Sequence, residues 1–290
     1  MPRYLLLVIT LLCSLFPLVT QSLALAKDLK DFPQRIVSLG PINTENIYLL
    51  GAEDRLVGNT NYCVRPEAAK SKEKIGSVMQ ISIEKILSLR PDLILATGLT
   101  SPIQLKKLNE LGLRVVQFQQ PKSFPEICIQ FLRIGTLLGL EEQAKEVICK
   151  AEKKVAAVQA ATASLPRSKV FLQIGSRPLF GAAPDSFTHD FIALSNGINI
   201  IGEQKHGIVG YEKVLLRNPD VIVIAMMGSE SGIAQEEKKK WLGFSMLTAV
   251  QNQQVYVVSP DIACSPSPAT FAETLAIMAA LLHPELKQED

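Results

Sequence analysis

The chain contains three histidines, His189, His206 and His283. A receptor for a bare metal ion needs a closed set of imidazole and carboxylate ligands. Here there is no His-rich loop and no pair at metal-ligand spacing, so no metal site is expected. His189 lies in a helical start, SFTHDF, and His283 precedes Pro284 near the tail. His206 stands in the Gly-flanked loop GEQKHGIVGYEK, where two readings stay open, an exposed loop residue or a ligand contact. Catalytic patterns are also missing: there is no G-x-S-x-G elbow and no phosphate loop. Cys63, in NYC, and Cys264, in DIACSPSP, fall in loops after strand-like runs. Neither has a base that the sequence identifies, so no catalytic residue is assigned and no cofactor is expected.

Two acids stand apart because they recur. Residues 82–97, SIEKILSLRPDLILAT, and 210–225, GYEKVLLRNPDVIVIA, align without a gap at an offset of 128 residues, the distance from Glu84 to Glu212. Lys85 then meets Lys213, Leu87 meets Leu215, Pro91 meets Pro219 and Asp92 meets Asp220. Glu84 and Glu212 each fall about two residues into a short helix, after Ser82 and Gly210, which are acceptable N-caps. A first-turn acid interacts favourably with the helix dipole by roughly 0.3–1 kcal/mol. Two equivalent exposed carboxylates would also make a matched pair of docking points for arginines on a partner.

Each copy of the repeat reads as a short helix, a Pro-Asp break, and an apolar run with little polar alternation. That is a helix feeding a buried parallel strand. A period this long exceeds the roughly 20–50 residues of solenoid units, so each half is expected to be a separate α/β lobe, with a ligand cleft between the two. First-lobe strands are expected at 35–39, 56–58, 93–96 and 114–118, and second-lobe strands at 169–174, 221–225 and 254–258. First-lobe helices are expected around 45–50, 83–89 and 102–111. Between the lobes, residues 141–163 place Ala144, Ile148, Ala151, Val155 and Val158 on one helical stripe. At 1.5 Å per residue this helix would span about 34 Å, enough to back both lobes. A helical crossing is stiff, so small opening amplitudes are expected. The domain reading is therefore 1–26 signal peptide, 27–140 first lobe, 141–163 interlobe helix and 164–290 second lobe. The charged run 236–240, before the sole tryptophan Trp241, reads as a solvated surface stretch.

The address is written at the start. Arg3 is followed by an apolar stretch from Tyr4 to Val19 and by Ala24-Leu25-Ala26, the pattern of a secretory signal peptide cleaved after Ala26. Leu12 occupies the place where a lipobox needs a small residue before Cys13. A soluble, exported, periplasmic protein is expected. The whole chain carries a formal charge of +2 and no basic patch, which argues against nucleic acid as a partner. With 47% hydrophobic residues in 290, the chain can bury two cores. Four cysteines follow the signal segment: Cys63, Cys128, Cys149 and Cys264. Cys128 and Cys149 flank Gly139 at similar distances on two helices. An antiparallel pair could bridge them, and two buried thiols are the other reading.

With these features the chain resembles the periplasmic vitamin B12-binding proteins of ABC importers, within the superfamily that also binds ferric siderophores and haem. The resemblance runs along essentially the whole mature chain: RIVSLGPINTE, VGNTNYC, IEKILSLRPDLIL, the crossing helix, VFLQIGSRPLFGA, EKVLLRNPD, VYVVSPD, and SPSPATFAE with LLHPE. It implies the class III fold, two Rossmann-like lobes with parallel-rich sheets joined by a long backbone helix. It implies that Glu84 and Glu212 dock to arginines of a dimeric inner-membrane permease that works with ATPase subunits. It places Tyr62 and Phe180 on the aromatic wall that holds a corrin, and Asp261 on an acid of the last cleft loop. Where cobalamin binders carry tryptophans, this chain has Val78-Met79 and His206, and around Ala263 to Ser265 it lacks their arginine. Arg177 reads as a contact for an anionic group or as a turn residue beside Pro178. The resulting expectation is a binding protein, not an enzyme, that captures a cobalamin-like corrinoid and hands it to the importer. The alternatives are a ferric siderophore or haem receptor, and, from another class, a periplasmic enzyme or metallochaperone with a reactive Cys63 or Cys264.

Overall fold

A computed structural model describes residues 32–226 and 232–287. The expected signal segment, its expected cleavage after Ala26 and Cys13 lie outside the described residues. The first lobe runs β1 (Ile36–Ser38), α1 (Pro41–Leu49), β2 (Leu56–Asn59), β3 (Glu73–Lys74), α2 (Ile83–Ser88), β4 (Leu93–Thr97), α3 (Pro102–Glu110) and β5 (Val115–Phe118). Its sheet is parallel throughout, in the order β3-β2-β1-β4-β5. Alternate residues of the apolar strands serve opposite faces, as a sheet covered on both sides requires. Ile36, Leu93 and Leu95 join the cluster around Ile47 and Phe131, while Val37, Ile94 and Ala96 join the one around Ile75 and Ile86. Helix α1 starts at Pro41, earlier than the helical stretch around 45–50 read from the sequence. Proline is well suited to a first helical position, because the N–H it lacks would be unpaired there.

Two helices then connect the lobes, α4 (Phe124–Leu138) and α5 (Glu141–Thr162). Gly139 separates them in the left-handed region at φ 72°, where Leu140 N–H donates to the Gly135 carbonyl at 2.7 Å. The second lobe follows with β6 (Lys169–Ser176), β7 (Leu179–Gly181), α6 (Phe187–Leu194), β8 (Ile198–Asn199), α7 (Tyr211–Arg217), β9 (Val221–Ile224), α8 (Ile233–Leu242), α9 (Thr248–Gln251), β10 (Val255–Val257), α10 (Pro260–Ala263) and α11 (Pro268–Leu282). Its sheet has the order β10-β9-β6-β7, with β8 also on β6, and β7 is its antiparallel member. Strands β3, β7 and β8 are two or three residues long, too short to show a period in sequence.

The duplication carries a specific backbone device. Asp92 accepts from the N–H groups of Gln34 at 2.7 Å and Arg35 at 3.0 Å, while its own N–H donates to the Arg35 carbonyl at 2.9 Å. Asp220 repeats this in the second lobe, accepting from Lys169 N–H at 2.7 Å and donating to the Lys169 carbonyl at 2.8 Å. Each Pro-Asp break therefore fastens its own strand to the start of the lobe's first strand. The preceding residues, Arg90 at φ 46° and Asn218 at φ 43°, share the left-handed turn that ends each helix.

Three sequence expectations change. The crossing is not α5 alone: Phe124, Ile127 and Cys128 at the start of α4 belong to the second-lobe core, while Phe131, Ile134 and Leu138 at its end belong to the first. Phe124 stacks on Phe271 of α11 at 4.7 Å between centroids, and Phe271 on Phe191 at 4.6 Å. Cys128 and Cys149 are not bridged, because Cys128 faces the core and Cys149 is exposed. Ile148 is packed on the apolar stripe of α5, and one residue further on the helix turns about 100° away from it. The run 236–240 is not wholly solvated, since Glu237 is 1% exposed and Trp241 is fully buried.

Candidate ligand-binding cleft

In parallel sheets, side chains gather at the carboxyl ends of the strands, where the chain leaves the sheet and loops are free to vary. A cavity of about 280 Å³ lies at that end of the first lobe. Its walls are the segments leaving β1 (Pro41–Asn43), β4 (Thr97–Leu99) and β5 (Phe118–Pro121), together with Tyr62, Val78 and Met79. Cys264 and Ser265 close it from the second lobe. A neighbouring cavity of about 380 Å³ is more polar, with Lys122, Asp185, Ser186 and Thr188 in its walls beside Ile174 and Phe187. Gln120, Pro121 and Cys264 line both cavities, so the two form one cleft between the lobes.

The Tyr62 wall is fixed from below. The ring is 60% exposed, but its loop is tied by Asn61 N–H to the Gly76 carbonyl at 2.9 Å and Cys63 N–H to the Thr60 carbonyl at 3.0 Å. Lys74 Nζ sits under the loop and donates to Asn59 Oδ1 at 2.7 Å and to the carbonyls of Ala69 and Cys63. Burial pushes the Lys74 ammonium below its usual range. Met79 rides on a turn closed by Ser77 N–H to the Gln80 carbonyl at 2.8 Å and is 68% exposed. Asn43 is buried and donates to the Leu95 and Ala96 carbonyls, pinning the start of α1 to β4. Across the cleft, Lys122 Nζ meets Asp185 Oδ2 at 2.6 Å, an exposed pair that raises the lysine pKa. Asp190 Oδ2 accepts from Phe124 N–H at 2.8 Å; burial raises the pKa of this carboxyl, opposed by that bond and by His189.

Of the residues singled out from the sequence, Tyr62 and Met79 come together in the cleft wall. Arg177 is exposed at the β6–β7 turn. Phe180 pairs through its backbone with Ile208, and a side chain at Gly207 would come within 2.5 Å of its ring. The loop bearing His206 therefore lies against Phe180. These three group on the second lobe but do not line the two cavities. Asp261 is exposed on α10, three residues before Cys264. Cys63, flagged as a reactive candidate, is fully buried, its thiol 3.2 Å from the hydroxyls of Thr44 and Thr60. Glu84 and Glu212 are exposed in the first turns of α2 and α7, away from the cavities. The sequence reading missed Asn43, Leu99 and the Phe118–Pro121 segment. Their signal was position immediately after a strand, which carries weight only once the strand order is known.

Helix α7 rests on a buried polar network. Tyr211 donates to Glu237 Oε2 at 3.0 Å, Gln173 Nε2 donates to the same oxygen at 3.0 Å, and Lys240 pairs with the other oxygen. Trp241 Nε1 completes it by donating to Gln173 Oε1 at 2.7 Å. Burial works against the Glu237 carboxylate, but hydrogen bonds from Lys240, Gln173 and Tyr211 outweigh it and hold its pKa below the usual range. The Tyr211 phenol is pushed up to about 12 by burial and by Glu237.

Two sheets facing each other across a cleft and backed by helices narrow the family, and residues 36–262 match the periplasmic binding protein family. The chain belongs to that family. This periplasmic binding protein is 31% identical over 270 residues to the vitamin B12-binding protein of Vibrio cholerae, covering 91% of this chain and 94% of that one. It is 29% identical to the uncharacterized ABC transporter substrate-binding lipoprotein YvrC of Bacillus subtilis, over 90% of this chain and 83% of that one. The crystal structure of the periplasmic vitamin B12-binding protein of Vibrio cholerae superposes with a TM-score of 0.73 at 28% identity, covering 89% of this chain and 99% of that chain.

Proposed function

We propose that this periplasmic binding protein is the substrate-binding component of an ABC importer, exported through a cleavable signal peptide, and that it captures a cobalamin-like corrinoid between its lobes. The observation that carries the reading is the cleft itself, where strand-end loops of both lobes converge on exposed Tyr62 and Met79. Such a wall suits a large, flat, partly apolar ligand. The vitamin B12-binding relatives support the corrinoid over the runner-up, a ferric siderophore or haem. An enzyme or metallochaperone loses one of its two thiols with the burial of Cys63. Capture and release then replace chemistry, with no resident cofactor.

Calorimetry of the mature protein with cyanocobalamin, dicyanocobinamide, a ferric siderophore and haemin tests the ligand. One corrinoid per chain is expected, and Tyr62→Ala should weaken it about tenfold, in line with the loss of one aromatic contact. Tight siderophore or haemin binding with no corrinoid heat overturns the ligand while leaving the fold. Delivery is assigned to Glu84 and Glu212 as docking points for the permease. In Glu84→Ala and Glu212→Ala, ligand affinity should hold while uptake falls, furthest in the double variant. Loss of ligand binding with folding intact would place these acids in the cleft, and unchanged uptake would reduce them to helix-dipole partners.

A further inference from the structure

Glu45 lies on α1, one turn beyond the cleft-lining residues Pro41–Asn43, and is 7% exposed. One carboxylate oxygen, Oε2, is paired with Arg65, which sits three residues beyond the cleft residue Tyr62 on the same loop. The other, Oε1, accepts from Ser267 Oγ at 2.7 Å and Thr270 Oγ1 at 3.2 Å, both at the start of α11 in the second lobe. Ser267 follows Cys264 and Ser265, the second-lobe residues that close the first cavity. A single buried carboxylate thus ties one cleft wall to the opposing one.

The donors that Glu45 meets are themselves positioned by the start of α11. Ser267 and Thr270 form a capping box, so each hydroxyl accepts from the other residue's backbone N–H, Ser267 N–H at 2.9 Å and Thr270 N–H at 3.2 Å. Each hydroxyl keeps its proton to donate, and Glu45 Oε1 is within reach of both, while the two hydroxyls also stand 3.0 Å from each other. The carboxylate also faces the positive end of a 15-residue helix, which favours its charge. A capped helix needs no outside acid, so the arrangement is more than the local chemistry of α11 requires.

We infer that Glu45 is a positioning residue that sets the spacing of the two cleft walls, and with it the rate at which ligand leaves. The inference rests on the cleft being the ligand site, but its test does not depend on which ligand is bound. The variants are Glu45→Gln, which keeps the volume but presents N–H groups to one set of donors and charge to neither, and Arg65→Met, which spares the bonds to α11. Hydrogen exchange on the ligand-free mature protein reads the walls. Glu45→Gln should speed exchange in both 60–66 and 263–268 about tenfold, as expected when a charge-assisted bond is lost, with β1, β4, β6 and β9 unchanged. Arg65→Met should speed 60–66 alone. Cyanocobalamin should then leave Glu45→Gln about tenfold faster than wild type. Exchange at wild-type rates in folded Glu45→Gln, or a uniform rise across the core strands, overturns the positioning role. Absence of cyanocobalamin binding to the wild type counts against the corrinoid reading, and the exchange pattern still decides Glu45.

Discussion

In the first lobe, α2 begins on Ser82, whose hydroxyl accepts from Lys85 N–H at 3.2 Å, and Lys85 reaches Glu73 at 2.9 Å. In the second lobe, α7 begins on Gly210, with no side-chain cap. It is held from beneath instead, by the Tyr211 hydroxyl on the buried Glu237. The break and strand that follow use the same aspartate clasp in both lobes. The parts of the duplicated unit that build the sheet have stayed equivalent, while the parts that orient its exposed acid have diverged. Sheet pairing admits one hydrogen-bond register, whereas a short helix can be fixed from its cap or from its underside. The cleft diverges too, its apolar walls drawn mostly from the first lobe and its polar walls shared.

The largest expected effect separates the two anchorages. Glu237→Ala should destabilise the protein by about 3 kcal/mol, because Lys240, Tyr211 and the Gln173 amide N–H lose their shared buried acceptor. The Glu237 pKa is lowered in the folded state, so its contribution is present at neutral pH. That contribution is lost as pH falls from the ordinary value of 4.5 through the folded one. Thermal unfolding of wild type and Glu237→Gln between about pH 7 and pH 3 should show the wild-type advantage shrinking on acidification. A gap that is constant across this range would show that charge on Glu237 contributes nothing.

A smaller and matched effect is expected from the shared clasp. Asp92→Ala and Asp220→Ala should each cost about 1–2 kcal/mol in urea unfolding, since each removes a charged acceptor from N–H groups at the start of an interior strand. A large difference between the two would mean that one lobe no longer depends on the device. The smallest effect lies between the lobes. Cys149 should react first with a thiol reagent at about pH 8, and Cys128 far more slowly, its thiol pushed up to about 12 by burial. Titration in denaturant under non-reducing conditions should find all four thiols of the mature chain. Finding two fewer would restore the Cys128–Cys149 bridge.

Much of this was legible in one dimension. The gapless repeat exposed two helix–break–strand units, the apolar runs located the long strands, and the stripe from Ala144 to Val158 marked α5, because each is a local pattern with a period. The residues of α4 also have a helical period, yet nothing in it says that Phe124 and Ile127 turn to one core and Phe131 and Ile134 to the other. Glu237 sits in a charged run that reads as solvated, and it is buried because α8 lies over Gln173, 64 positions earlier.

What the sequence determined by itself, then, is what propensity and periodicity control: two α/β lobes, a helical crossing, and a repeated pair of acids. The tertiary structure alone decided which side chains face the cleft and which charges go under cover. Glu45 and Ser267 stand 222 positions apart with no pattern linking them. Their hydrogen bond exists because the order of strands in two sheets brings the start of α11 onto α1, and a buried carboxylate is stable only where such donors arrive together.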